Sequence, residues 1–397
     1  MIVLSKNQQD ILKKAIYWYK YSSESTFQIT GNPGTGKSVL LHAIVEALKI
    51  PSYRVAPMTY TGASAINMRR KGFINAKTIH SWLLEPKEKI LIDSNETPII
   101  NSYFNIPEWG ITFIPKQLQG IDLIVIDECG MVPMPLRKVI EDQHIKVLAA
   151  GDIDQLKPVK YDSAYLVSGT IHRLTEIFRQ GKESGIVYLS QRLLKDLPIH
   201  QGVYKDCMVI SRDEITSSMI KASDILICAK NETRDKLTNL VRQQILGIED
   251  EYPLHNERIV CRQNNWQLEL DGINLANGLI GTIENNPDVT RDKEKFFSID
   301  FKPYGMFSTF KDVLINKKYF FASFKDKIIT VIKHKEDGSK FEYAYAITTH
   351  IAQGSEYPVG MYFEEHMKGD MDKQLWYTGI TRFSKFCIYV KHKRKYY

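Results

Sequence analysis

Short apolar runs alternate with segments of helical periodicity along the first half of the chain. Residues 27–30 form a run that predicts a strand, and residues 38–48 carry apolar side chains at the spacing of a helix. Residues 54–57, 121–126 and 145–150 predict further strands. The run at 121–126 is almost continuously β-branched and apolar, which is typical of a strand buried on both faces. Strands of this kind separated by helices predict a doubly wound, parallel α/β sheet.

A second α/β pattern begins near residue 181. Residues 225–229 predict a strand, residues 232–246 a helix, and residues 343–349 and 386–390 two more strands. The chain as a whole is therefore expected to be α/β, with two parallel-sheet domains in tandem.

Two segments interrupt this rhythm. Residues 85–118 contain several prolines together with the aromatic residues Tyr103, Phe104 and Trp109, and we interpret this segment as an inserted hairpin. Residues 257–342 change to short β-rich runs and predict a small inserted β-domain. These runs lie at 296–301, 319–324 and 327–332.

The expected division of the chain follows from these patterns. It assigns 1–84 and 119–180 to the first α/β domain, 85–118 to the hairpin, 181–256 and 343–397 to the second α/β domain, and 257–342 to the β-domain.

Composition narrows the class of protein only modestly. With 397 residues, 43% hydrophobic and 25% charged, the chain has the composition of a globular protein with sizeable cores. It has no apolar run of about 18 residues, so we expect no membrane span. The five cysteines are scattered and show no metal-ligand spacing, which favours reduced thiols and a cytoplasmic setting. The net charge of +7 is a weak indication of an anionic partner.

A phosphate-binding loop is the strongest chemical signal. The eight residues from Gly31 to Ser38 match the pattern G-x-x-x-x-G-K-[ST], between a predicted strand and a predicted helix. Backbone N–H groups and a helix N-terminus favour phosphate at such a loop. We therefore expect Lys37 to reach the β- and γ-phosphates of ATP and Ser38 to bind Mg²⁺. The expected nucleotide-binding residues of the loop are Gly31, Asn32, Pro33, Gly34, Thr35, Gly36, Lys37 and Ser38.

A pair of carboxylates follows the buried strand at 121–126. Asp127 is expected to hold Mg²⁺, directly or through water, and Glu128 to orient or deprotonate the attacking water. The loop and this pair together predict an ATPase.

Further ordered motifs resemble those of superfamily 1 helicases over nearly the whole chain. The sequences Thr-Ile-His-Ser, Phe-Arg-Gln and Ala-Gln-Gly-Ser-Glu resemble the 1B branch, the RecD-like and phage Dda-like enzymes. The segments that resemble motifs Ia, Ib, III, IV, V and VI are 56–65, 78–81, 151–159, 174–180, 345–356 and 377–382.

The resemblance implies two RecA-like domains with ATP bound between them and 5′→3′ motion on single-stranded DNA. It implies that Gln155 reports the γ-phosphate and that Arg179 and Arg382 act as arginine fingers. A planar, permanently charged guanidinium suits the charge of a transferring phosphoryl group. Gln8 resembles the adenine-reading glutamine, and Glu356 resembles the residue that meets the ribose; a pair of solvated glutamines at 8 and 9 is the alternative for the first.

DNA contacts are implied at motif positions where the family touches the DNA backbone. These positions are Thr59, Thr61, His80, Thr349 and His350. A wedge that splits the duplex is expected at Phe104, with Tyr103 and Trp109 as alternatives, whereas aromatic packing within the insertion explains the same residues without DNA. Residues 277–281 resemble the turn in the small β-barrel of RecD-like enzymes.

The sequence thus predicts an ATP- and Mg²⁺-dependent 5′→3′ DNA helicase. We expect a monomer that binds single-stranded DNA and single/double-strand junctions, with a single-strand-binding or replication protein as partner, in the cytoplasm of a bacterium or a phage-infected host. The alternatives are a translocase or protein-displacing motor without unwinding, an RNA-directed helicase, and a non-catalytic nucleic-acid-binding protein.

Overall fold

The computed structural model describes residues 4–90, 109–158, 162–176, 184–292, 295–322, 338–367 and 371–392. The helices in these ranges are α1 (Lys6–Tyr21), α2 (Lys37–Leu48), α3 (Gly62–Arg70), α4 (Ile79–Leu83), α5 (Met134–Glu141), α6 (Gly185–Leu194), α7 (Ser217–Lys221), α8 (Asn231–Asn239), α9 (Lys317–Phe321), α10 (Thr349–Ala352) and α11 (Asp372–Ile380). A π-helical turn, Leu240–Ile245, continues α8.

The strands in the same ranges are β1 (Thr26–Gly31), β2 (Val55–Thr59), β3 (Lys77–Thr78), β4 (Leu84–Ile90), β5 (Trp109–Pro115), β6 (Leu123–Ile126), β7 (Lys146–Gly151), β8 (Ile171–Leu174), β9 (Gly202–Tyr204), β10 (Cys207–Ser211), β11 (Ile225–Cys228), β12 (Arg258–Cys261), β13 (Asn265–Leu270), β14 (Ile273–Leu275), β15 (Ile280–Ile283), β16 (Asp288–Asp292), β17 (Phe296–Pro303), β18 (Phe310–Asn316), β19 (Phe341–Tyr343), β20 (Ala346–Thr348), β21 (Tyr357–Phe363) and β22 (Phe383–Lys391).

The chain divides into two compact units. The first comprises Met1–Lys77, Gln119–Glu249 and Ala344–Tyr397, and the second comprises Thr78–Leu118 and Asp250–Tyr343.

The first unit holds two six-stranded sheets. One has the order β3-β2-β6-β7-β1-β8, with parallel pairing from β2 to β8, and the other has the order β20-β11-β21-β22-β10-β9, with only β9 antiparallel. All four residues of β6 are completely buried, as the β-branched run predicts. Phe27, Leu41 and Leu148 belong to the core that joins the first sheet to α1 and α2. The predicted tandem α/β architecture is confirmed.

The second unit contains the two insertions. Strands β4 and β5 pair antiparallel over seven residues and form the predicted hairpin. The β-domain is an antiparallel sheet in which β18, β17, β15, β12 and β19 are neighbours in turn. A bridge between Ile315 and Ser339 links β18 to the segment that leads into β19, so the sheet closes on itself.

One predicted strand is wrong. Residues 319–324 were expected to be β, but the chain forms α9, Lys317–Phe321. Asn316 caps this helix, because its side chain accepts a hydrogen bond of 2.8 Å from the backbone N–H of Tyr319. Aromatic composition alone favoured a strand, and the local cap decided the outcome. Residues 327–332 lie outside the described residues.

Among the described residues, no helix combines the length and apolar character that crossing a bilayer requires.

Candidate active site

The phosphate-binding loop joins β1 to α2, as its sequence predicts. Gly34 and Gly36 have positive φ angles of 83° and 78°, which side-chain-bearing residues adopt at a cost. A Cβ atom on Gly31 would lie 2.6 Å from Thr35 Oγ1 and 2.9 Å from Leu174 Cβ. The loop therefore requires glycine at these positions for backbone conformation and for close packing.

Lys37 and Ser38 are the first two residues of α2. Lys37 Nζ donates hydrogen bonds to the carbonyl oxygens of Gly31, at 2.6 Å, and Asn32, at 3.3 Å. Ser38 Oγ donates a hydrogen bond of 2.9 Å to Oδ2 of Asp127, which follows β6 and is almost completely buried. The parallel pairing of the first sheet thus brings the loop and the carboxylate pair together, although they are far apart in sequence.

The oxygen atoms of Ser38 and Asp127 suit Mg²⁺. A hydroxyl and a carboxylate oxygen held at 2.9 Å are hard ligands of the kind this ion prefers, and both residues line the same cavity. The residues present therefore fit the metal that the sequence predicts.

Glu128 has a strained backbone. Its φ angle is +55°, in the left-handed region, and its N–H donates to Oδ1 of Asp127 at 3.0 Å. Non-glycine residues in this region cluster at functional sites, where the surrounding structure holds them. Behind it, burial raises the pKa of the Cys129 thiol, so this side chain stays neutral. The strained turn directs the Glu128 side chain to the wall of the cavity that Lys37 lines.

A cavity of about 480 Å³ is lined from both sheets of the first unit. From the first sheet come Lys37, Ser38, Asp127, Glu128 and Gln155, and from the second come Gly354, Ser355, Glu356, Thr381 and Arg382. The two sheets meet directly beside it, since Asn67 on α3 donates a hydrogen bond of 2.6 Å to the Gly354 carbonyl. The structure therefore places most of the predicted ATP-site residues around one cavity.

Arg382 is almost completely buried at the end of α11. Its Nε donates a hydrogen bond of 3.0 Å to the Thr378 carbonyl, which fixes the side chain against its own helix. Gln155 is also buried, and its Nε2 donates to Oδ2 of Asp152 at 3.4 Å. The second predicted finger, Arg179, lies outside the described residues.

Gln8 contacts the phosphate-binding loop but does not belong to the residues that line the cavity. Its Oε1 accepts a hydrogen bond of 3.0 Å from the backbone N–H of Ser5, which completes a capping box on α1. Its Nε2 donates to the Thr35 carbonyl at 3.2 Å. The amide therefore supports the phosphate loop from below, while adenine reading stays a prediction.

Four cavity-lining residues lie outside every predicted motif. They are Val39, His42, Asn67 and Lys71. Lys71 Nζ donates a hydrogen bond of 3.1 Å to Ser38 Oγ, so it adds a cation next to the predicted metal ligands. No motif marks these residues. The helical phase of α3 places Asn67 and Lys71 four residues apart, on one face, and this spacing is the signal from which they could have been found.

The predicted DNA-contact threonines use their hydroxyl groups within the protein. Thr59 Oγ1 donates to the Thr61 carbonyl at 3.0 Å, and Thr61 Oγ1 caps α3 by accepting from the backbone N–H of Ser64. Thr349 Oγ1 donates to the Cys228 carbonyl at 3.1 Å. Their roles in shaping the loops are clear, and contact with DNA stays a prediction.

Burial lowers the pKa of both predicted DNA-contact histidines, His80 and His350. They are therefore neutral at pH 7 and suit hydrogen bonding rather than ion pairing with phosphate. In the second unit, the His80 ring lies 5.7 Å from the ring of Trp266 and 6.2 Å from that of Phe113. Of the predicted wedge residues, Tyr103 and Phe104 lie outside the described residues. Trp109 is the first residue of β5, and only its backbone is described.

Fold and site together define a P-loop protein with two RecA-like sheets in tandem. Residues 3–206, just over half of the chain, match the family model of the AAA domain, and the chain belongs to this family.

Curated relatives match parts of this chain. An uncharacterised protein of Methanocaldococcus jannaschii is 26% identical over an alignment of 431 positions, gaps included, that covers 90% of this chain and 36% of that protein. The RecD subunit of the RecBCD enzyme of Buchnera aphidicola is 30% identical over 172 residues, which cover 41% of this chain and 27% of that protein. The chain thus spans between about a quarter and just over a third of the length of these relatives.

Solved structures of Pif1 helicases share the fold. One is described as the structural basis for DNA unwinding at forked double-stranded DNA by two coordinating Pif1 helicases. It has a TM-score of 0.56 at 17% identity, and the match covers 98% of this chain and 92% of the Pif1 chain. Pif1 from Bacteroides, in complex with ADP-AlF3 and single-stranded DNA, has a TM-score of 0.54 at 17% identity with the same coverage. At this identity the likeness shows a shared fold. Together with the family match and the partial match to RecD, it supports the predicted resemblance to superfamily 1B helicases.

Proposed function

We propose that this chain is an ATP-hydrolysing DNA helicase that uses Mg²⁺ and moves 5′→3′ on single-stranded DNA. The observation that carries the proposal is the composition of the cavity. The first sheet contributes Lys37, Asp127 and Glu128, and the second contributes Arg382. A motor needs residues of both sheets at one nucleotide. Hydrolysis then removes the γ-phosphate, which residues of both sheets contact, and the sheets can move relative to each other.

The proposed chemistry assigns one role to each residue. Lys37 binds the β- and γ-phosphates, with the loop N–H groups around them. Glu128 orients the attacking water and accepts its proton. Ser38 and Asp127 hold Mg²⁺, which when bound neutralises phosphate charge. Arg382 stabilises the charge that develops on the transferring phosphoryl group.

Remaining site residues keep their predicted roles within this proposal. Gln155 senses the γ-phosphate, Arg179 is a second finger, and Gln8 and Glu356 meet the nucleoside. Thr59, Thr61, His80, Thr349 and His350 are the proposed track for the DNA backbone, which carries no sequence information. The domain boundaries, the wedge, the monomeric state, a protein partner and the cytoplasmic setting stay proposals of the same kind.

Relatives support the choice of DNA as substrate. The two solved Pif1 structures are described with forked double-stranded DNA and with single-stranded DNA, and RecD is a subunit of the RecBCD enzyme. A nucleotide cavity combined with this fold favours a nucleic-acid motor over a passive binding protein.

The test measures ATP hydrolysis with single-stranded DNA, with RNA of matched sequence, and without polymer, and then strand displacement on duplexes with a 5′ or a 3′ tail. We expect stimulation by DNA and displacement only from the 5′ tail, both lost with EDTA and in Lys37→Ala. Stimulation without displacement would instead identify a translocase, and equal stimulation by RNA would identify an RNA-directed enzyme.

A further inference from the structure

Asp152 is the centre of a buried hydrogen-bond network next to the ATP site. It follows β7, and its side chain is almost completely buried. Its Oδ1 accepts a hydrogen bond of 3.0 Å from the backbone N–H of Asp154. Its Oδ2 accepts from Gln155 Nε2 at 3.4 Å and from the Tyr377 hydroxyl at 2.7 Å. The carboxylate thus connects the proposed γ-phosphate sensor to a tyrosine of the second sheet's helix α11.

Tyr377 is built to act only as a donor in this network. It is completely buried within α11. Burial raises its pKa, as do the carboxylates of Asp152 and Asp154, so the phenol keeps its proton at neutral pH. A short hydrogen bond from a neutral hydroxyl to a buried carboxylate is among the stronger kinds in proteins.

A second link runs beside the first. The backbone N–H of Leu156 donates to Thr378 Oγ1 at 3.0 Å, and the Leu156 carbonyl accepts from Gln353 Nε2 at 3.0 Å. Thr378 also supplies the carbonyl that holds Arg382 Nε. The turn that carries Gln155 and the helix that holds Arg382 are therefore joined by adjacent residues, Tyr377 and Thr378.

We infer that Tyr377 is a positioning residue that couples the Gln155 turn to α11, so that a change at the γ-phosphate reaches the second sheet. The inference rests on the proposed function. If Gln155 moves when the γ-phosphate binds or leaves, Asp152 moves with it, because the two side chains are hydrogen bonded. Asp152 then pulls on Tyr377, and α11 carries the displacement to Arg382 and onward through its sheet.

The first test compares Tyr377→Phe with Tyr165→Phe. Tyr165 is a matched control, because it is also a buried tyrosine in the first unit and its hydroxyl makes no hydrogen bond within the described part of the chain. In Tyr377→Phe we expect the stimulation of ATP hydrolysis by single-stranded DNA to fall about tenfold, the loss typical of a hydrogen bond to a buried charge. The rate without DNA and the KM for ATP stay within about twofold of wild type, because Lys37, Ser38 and Arg382 keep their contacts. Tyr165→Phe retains full stimulation.

A second measurement does not depend on DNA. Hydrogen–deuterium exchange of the peptide that covers 372–382 is followed with and without a non-hydrolysable ATP analogue. We expect the analogue to slow exchange in the wild type and in Tyr165→Phe, and to leave it unchanged in Tyr377→Phe. Asp152→Asn should give the same loss, and the double variant should lose no more than either single variant.

The outcomes separate the two proposals. Absence of stimulation by DNA in the wild type would contradict the proposed function, while the exchange experiment would still decide the role of Tyr377. Equal nucleotide-induced protection in Tyr377→Phe and wild type would overturn the inference. A loss of protection in Tyr165→Phe as large as that in Tyr377→Phe would also overturn it, because the effect would then follow from any buried hydroxyl.

Discussion

The two sheets of the first unit differ in what lies at the N-terminus of the helix that follows a central strand. In the first sheet, β1 leads through a glycine-rich loop to α2, whose first residues line the cavity. In the second sheet, β11 leads to α8 through Ala229 and Lys230, and the backbone N–H groups of both donate to Oε2 of Glu365 at 2.9 Å. Thr233 Oγ1 donates to Oε1 of the same side chain at 2.6 Å.

The difference explains why similar sheets have different tasks. A helix N-terminus attracts negative charge, whether it belongs to a phosphate or to a carboxylate. At α8 that charge is the buried Glu365 of the chain itself, so the second sheet has no free N–H cradle at this point. It contributes Arg382 to the cavity instead. We therefore expect one nucleotide per chain, held by the first sheet and activated from the second.

The largest effect is expected for Arg382→Lys. Lysine keeps the charge but loses the planar fork and the Nε bond to Thr378, so kcat for ATP should fall roughly 10³-fold. The affinity for nucleotide should change little, because the first sheet provides the phosphate cradle. Steady-state kinetics and titration with a fluorescent nucleotide check both values, with Arg137→Lys on α5 as the control. A large loss of affinity with unchanged kcat would contradict the division of tasks.

The next largest effect is expected at the N-terminus of α8, where Glu365 accepts the hydrogen bonds. In Glu365→Gln one acceptor oxygen becomes an N–H₂ group, which leaves either the Thr233 hydroxyl or the N–H groups of Ala229 and Lys230 without an acceptor, so the free energy of unfolding should fall by about 2 kcal/mol. Nucleotide affinity should not change. Urea unfolding measures the loss, and Glu232→Gln on the exposed face of the same helix is the control, with a change below about 0.5 kcal/mol. Equal losses in both variants would remove the assigned role of Glu365.

How much of the site could be predicted from the sequence depends on whether the residues that meet there are close together in the chain. The phosphate loop and the strand before Asp127 are contiguous, so their residues and their structure could be predicted together. The role of Glu365 could not, because its partners Ala229 and Lys230 lie more than a hundred residues away and follow no motif. Tyr377 and Asp152 lie in segments that resemble motifs VI and III, but their contact could not be predicted, because they meet only where the two sheets pack together.

Local rules also explain the errors. Residues 232–246 were predicted as one helix, but α8 passes into a π-helical turn at Leu240. Apolar periodicity does not distinguish these two forms over a few residues. The adenine-reading role of Gln8, which its motif position implies, stays a prediction, and its amide also takes part in the capping box and in a hydrogen bond to Thr35.

A smaller effect is expected for Gly31→Ala in the first sheet's loop. The added methyl group would collide with Thr35 Oγ1 and Leu174, and the shift needed to relieve it should weaken nucleotide binding about tenfold. Gly120→Ala is the control. Its φ of +70° makes alanine unfavourable there too, but the added methyl group meets no atom within 4 Å, and Gly120 does not line the cavity. Titration of both variants with nucleotide distinguishes the two. Unchanged affinity in Gly31→Ala would show that the loop tolerates the displacement.

The smallest effect is a pH dependence of stability. Burial lowers the pKa of His80 and His350 below the usual 6.5, so the unfolded chain binds protons that the folded chain does not. The free energy of unfolding is therefore highest above pH 6.5 and falls as the pH drops from there through the lower folded values. Urea unfolding between pH 5 and 8 measures the slope, and the double variant His80→Gln with His350→Gln should reduce it without removing it, because burial also lowers the pKa of His172 and His392. An unchanged slope would contradict the neutral state of both rings.

The most direct test of the account counts nucleotides. Equilibrium dialysis with a non-hydrolysable ATP analogue and Mg²⁺ is carried out on the wild type, Lys37→Ala and Glu365→Gln. We predict one nucleotide per chain in the wild type and in Glu365→Gln, and a strong loss of binding in Lys37→Ala. Two nucleotides per wild-type chain, or one tightly bound nucleotide in Lys37→Ala, would contradict the assignment of a single site to the first sheet.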